Sequence, residues 1–151
     1  MRRAAIVAGV FFVLVGAGGG CSHKEAQNPG SGDPRVAGTF ERVATEFKGQ
    51  TVKDADNKVK YVFDGNKMIV QSGKTEEAQT IACDPTKNPA ELTITKTEAS
   101  GKVDAYYGIY KLEGDTLTLC IRKTESPEDR PKDFKTTHDS PGMVLVLKRE
   151  K

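Results

Sequence analysis

Apolar and polar positions alternate along this chain in short runs, and turn residues separate the runs. The clearest case is residues 103–123, VDAYYGIYKLEGDTLTLCIRK. Two alternating stretches flank Glu113-Gly114-Asp115, a tight-turn signal, because Gly tolerates positive φ and Asp bonds its own backbone. Tyr107, Ile109, Leu117, Leu119 and Ile121 are the alternates predicted to face a core. The pattern recurs elsewhere in the chain. Residues 38–45 read as a strand around Phe40. Residues 58–63 carry Tyr61 and Phe63 on one face, and Asp64-Gly65-Asn66 turns the chain back into 67–72, with Met68 and Val70. Residues 77–84 carry Ile81 and Cys83. After a loop holding Pro85 and Pro89, residues 90–97 set Leu92 and Ile94 against Glu91, Thr93 and Thr95. The final strand, 142–151, has Met143, Leu145 and Leu147 on one face and Val144 and Val146 on the other. Two apolar faces predict a strand that is central or closes the sheet.

Residues 46–57 are polar and predict a turn or a short helical piece. No stretch has the 3.6-residue period of an amphipathic helix. The fold class is therefore all-β: a small antiparallel barrel of about eight strands, with a two-layer sandwich as the alternative. Short turns between consecutive strands favour the barrel, which leaves no exposed edge.

Two segments fall outside this pattern. Residues 124–141 hold three prolines and one large apolar residue, Phe134. A connection of that length is either functional or mobile. It reads as a charged loop pinned by Phe134, or as a lid on a barrel mouth in which Arg130 holds a carboxylate. The second segment is the N-terminus. Met1-Arg2-Arg3 precedes an apolar run over 4–15 and a small-residue stretch ending at Cys21. That is the layout of an export signal, and the run is shorter than the roughly 20 apolar residues that span a bilayer. Cys21 after Gly18-Gly19-Gly20 resembles the lipobox of bacterial lipoproteins, in which the cysteine is lipidated and begins the mature chain. Residues 21–35, rich in Pro, Gly and Ser, read as a flexible tether with a reach on the order of 40 Å. The domain layout is then signal 1–20, tether 21–35 and barrel 36–151. The expected location is the cell envelope, with the domain exported and held on a membrane through acyl chains on Cys21.

Charge and titratable residues narrow the function classes. The formal charge of +2 stems from Arg2 and Arg3, since no acidic residue precedes Glu25. The mature chain is near neutral, which does not indicate a nucleic-acid surface. Lys148, Arg149 and Lys151 read as a solvated basic end. Cys83 and Cys120 read as two buried thiols, with a disulfide between them as the alternative open to an exported chain. His23 and His138 make no zinc spacing with the cysteines. No nucleophile elbow, paired carboxylates or phosphate-binding glycine loop is visible, so neither an enzyme nor a cofactor is implied. Tyr106, Tyr107 and Tyr110 lie on one strand, with Tyr107 facing opposite to the other two. One set would line a cavity or simply pack.

Several segments together resemble an uncharacterised lipocalin-like domain family found mainly in Planctomycetes. They are Gly38-Thr39-Phe40, Asp84-Pro85 through Pro89-Ala90-Glu91-Leu92, Tyr107-Gly108-Ile109-Tyr110, Gly114-Asp115-Thr116-Leu117, Leu119-Cys120, Arg130-Pro131 with Phe134, and Val146-Leu147-Lys148-Arg149. Phe40 stands where that family usually has Trp, and Arg42 where an apolar residue is more usual. The resemblance implies a lipocalin-like barrel and no particular activity. Two readings follow. One is a non-catalytic binding module for a small apolar or amphipathic ligand, with Phe40, Tyr61, Phe63, Tyr107, Leu119, Arg130 and Phe134 as candidate contacts. The other is a structural or interaction module of the envelope with a filled barrel.

Overall fold

The computed structural model describes residues 32–54, 58–140 and 142–151. Cys21, the signal segment and most of the tether lie outside the described residues. The described chain forms β1 (Gly38–Phe47), β2 (Gln50–Lys53), β3 (Val59–Asp64), β4 (Lys67–Ser72), β5 (Thr75–Asp84), β6 (Ala90–Thr97), β7 (Val103–Glu113), β8 (Thr116–Lys123) and β9 (Gly142–Arg149). Neighbouring strands pair antiparallel in the order β2-β1-β3-β4-β5-β6-β7-β8-β9, and β9 returns to pair with β1. Eight of these strands close a barrel, and β2 is an extra hairpin partner on the far half of β1. Closure satisfies both edges of β9, and it buries apolar residues on both faces, Leu145 and Leu147 inside the barrel and Val144 outside beneath Phe134.

β2 replaces the predicted turn or helical piece. The turn that makes it runs through Lys48 (φ 52°) and Gly49 (φ 75°), both in the left-handed region. Lysine there is uncommon, so the pair gives a weaker hairpin signal than Asp64-Gly65-Asn66. Between Arg42 and Ala44 the register of β1 against β9 slips by one residue. Such a bulge bends the strand and re-aims a side chain. Before it β1 pairs with β3, and after it with β2.

Two apolar cores result. The larger fills the barrel and includes Phe40, Phe63, Ile81, Cys83, Leu117 and Leu147. The smaller lies on the outer face of the wall, where Ile109, Cys120 and Val144 are covered by Phe134. On β7 the expected facing is inverted. Tyr106 and Tyr110 belong to the interior, while Ile109 and Tyr107 face outward. Gly108 fixes this phase, because it sits inward where the wall is tight: a Cβ there would lie 2.5 Å from the Cys120 carbonyl oxygen. The two thiols therefore lie on opposite sides of the wall, both buried and free, and the alternative of a disulfide between them is excluded.

Candidate functional site

One end of the barrel is closed. Phe40 is fully buried and meets Phe63 edge to face, with ring centroids 5.7 Å apart. The Arg149 guanidinium lies 4.5 Å from the centre of the Phe40 ring. It also donates to the backbone carbonyls of Ala37 and Arg35. Arg149 is thus a structural clamp, whereas Lys148 and Lys151 are the solvated part of the basic end. A 3-10 turn, Pro34–Val36, seals the same end and buries Val36. Asp33 caps the turn by accepting from the Arg35 amide, and it is buried. It also accepts from the Tyr110 hydroxyl at 2.7 Å and from the Arg35 guanidinium. Asp33, Pro34 and Arg35, at the end of the expected tether, are therefore part of the base. Burial pushes the Asp33 carboxyl up, but hydrogen bonds from Arg35 and Tyr110 outweigh it and hold the group below its ordinary value.

The other end is open. Above the packed base the interior holds a cavity of about 240 Å³. Met68, Val70, Ile94, Leu119, Ile121 and Leu145 give it an apolar wall. Arg42, Tyr61, Glu77, Gln79 and Tyr106 bring polar groups into the same space. The bulge after Arg42 sets that side chain against Asp54, just beyond β2. Nε and Nη2 donate to the two carboxylate oxygens at 2.8 and 2.9 Å, a side-on fork. Thr45 adds a third donor to Asp54 at 3.3 Å. Burial draws the Arg42 guanidinium down, and the Asp54 partner more than restores it, so the charge is secure. The Tyr61 hydroxyl lies beside the same guanidinium, and burial raises its value. Two more ion pairs stand toward the mouth, Lys96 with Glu77 and Lys123 with Asp104.

The candidate residues read from the sequence divide into three places. Tyr61 and Leu119 line the cavity. Phe40 and Phe63 fill the base beneath it. Tyr107, Arg130 and Phe134 are on the outer wall and do not line it. The segment after β8 leaves the mouth but folds down the outside as a strap, so it is not a lid. Arg130 donates to the Gly108 carbonyl at 2.7 Å and to that of Leu92, which are partners across β6 and β7. It also reaches Thr93 Oγ1 and stacks on Tyr107 at 5.3 Å. Further along, Thr136 donates to Glu46 and accepts from the Gly49 amide.

Sequence reading missed Gln79 and Met143 as cavity residues, Asp54 as the partner of Arg42, and Asp33 and Arg149 as base residues. Arg42 was legible in part: it lies two residues after Phe40, so alternation alone places a cation inside the barrel. Asp54 was not, because a bulge and an unrecognised hairpin bring it there. Among the described residues no cluster of His, Cys, Asp and Glu is arranged to hold a metal ion. Compared with family models, curated proteins and solved structures, the chain has no significant match in any of the three.

Proposed function

We propose that the protein is an exported lipoprotein, anchored through a lipidated Cys21, whose lipocalin-like barrel is a non-catalytic module that holds a small apolar or amphipathic ligand. One observation carries the binding part: the interior is packed at the base and open above it, with an apolar wall around about 240 Å³. Ligand sites are commonly concave, mostly apolar and furnished with a few polar groups, as this one is. The volume is below the usual range for drug-sized ligands, which argues for a small occupant. The export reading rests on the layout of residues 1–21. The competing reading, an envelope interaction module with a filled barrel, is favoured only by the packed lower half.

Native mass spectrometry of protein purified from the envelope tests the binding reading. A stoichiometric small-molecule adduct, or saturable binding of an apolar dye, is the expected result. Absence of both would leave the filled-barrel reading. Metabolic labelling with a palmitate analogue tests the anchor. Wild-type protein is expected to label and Cys21→Ser is not; equal labelling would remove the anchor.

A further inference from the structure

The polar groups of the cavity are unequal in what they have left to give. Asp54 already accepts from Arg42 Nε, Arg42 Nη2 and Thr45 Oγ1. Arginine carries five N–H donors and no acceptor, and two of its nitrogens are engaged by that fork. Among the described residues, Arg42 Nη1 takes no part in that fork, and the Tyr61 hydroxyl, whose oxygen faces the guanidinium, keeps its own O–H to donate. Both residues line the cavity. Glu77 and Gln79 keep acceptor oxygens in the same lining, but at Arg42 and Tyr61 the capacity left is donor capacity, and that corner calls for an acceptor.

Charge decides which kind of acceptor. The guanidinium is matched one-to-one by Asp54. Glu77, also in the lining, is matched by Lys96. A ligand carboxylate would add an unmatched negative charge to a partly desolvated neutral cluster, which is costly. A carbonyl takes the same donors with no such cost. Size bounds the rest: a cavity of about 240 Å³ is below the roughly 300–1,000 Å³ usual for drug-sized ligands, which favours a compact body such as a fused bicyclic ring.

We propose that the cavity selects an uncharged amphipathic molecule, a compact apolar body bearing one carbonyl-type acceptor that docks on Arg42 and Tyr61. This rests on the binding reading above. The two are separated by titrating three fluorescent probes of one shape into the exported full chain carrying Cys21→Ser: 2-acetylnaphthalene, 2-ethylnaphthalene and 2-naphthoate. Methyl resonances of Ile94 and Leu119 report where each probe sits. The ketone is expected to bind about tenfold or more tightly than either of the others, as one hydrogen bond to a charged donor gives. It should shift both methyls. Tyr61→Phe should weaken the ketone about fivefold and leave the ethyl compound unchanged. Equal affinity for the ketone and the ethyl compound would overturn the acceptor assignment while leaving the cavity a binding site. Tightest binding of the naphthoate would overturn neutrality. Binding that leaves both methyls unmoved would place the site elsewhere and overturn the proposal. If none of the three binds, the binding reading fails together with it.

Discussion

Asp33 shows how a single residue ties two distant parts of the chain together. It caps a three-residue turn and accepts from a tyrosine 77 positions away. Its carboxyl is held below the ordinary value of 3.8 in the folded protein. A group with a depressed folded pKa contributes stability that is present above its unfolded value and is lost as pH falls through the folded one. Stability measured by urea unfolding should thus decline on acidification from about pH 4 downward. Asp33→Asn should flatten part of that decline and lower stability at pH 7. An unchanged acid slope in the variant would remove Asp33 from the account. Little of this was legible beforehand, because Asp33 sits in a Pro- and Gly-rich stretch with no periodicity. Phe40 was legible, since a large apolar residue in a strand seeks burial. Its clamp was not, since Arg149 lies at the far end of the chain and looks like an ordinary terminal charge.

At the scale of elements, the strap is the part whose role differs most from expectation. Phe134 does pin the segment, but to the outer wall. There it covers Ile109, Cys120 and Val144, which are 2%, 1% and 5% exposed. Those burials explain why an apolar residue such as Ile109 can face away from the barrel. Alternation in residues 103–113 locates the strand correctly and cannot say which face has the larger core, since both faces carry apolar residues. The strap's polar composition hides that it has a face at all. Phe134→Ala should cost about 2–3 kcal/mol, at or below the low end for a buried aromatic because the ring is partly exposed. It should also open Cys120 to a thiol reagent in the native protein. In the wild type that thiol is buried and pushed up to about 11, chiefly by burial, so it resists attack at neutral pH. Loss of stability without a gain in Cys120 reactivity would argue that the strap stays in place without its anchor.

For the whole molecule, the decisive event is closure of β1 on β9, which joins Phe40 to Arg149 across nearly the whole domain. The sequence made the number of barrel strands and their order legible, because short turns leave few alternatives. It did not show the ninth strand. A closed barrel cannot lose one strand without exposing two edges, so inner and outer cores should unfold together. Cys83 and Cys120 sample those cores separately. Across a urea series both thiols are expected to become reactive at one midpoint; reaction of Cys120 at distinctly lower urea would show that the outer core melts alone. Closure also orients the molecule. The chain enters at Asp33, beside the packed base, and β1 then runs from Gly38 at the base to Phe47 beyond the cavity. β9 ends at the base as well, where Arg149 holds Ala37. Under the proposed anchoring, the leash joins the cup at its closed bottom, the end opposite the opening, so the point of attachment and the point of entry for an occupant are separated by the full depth of the packed base.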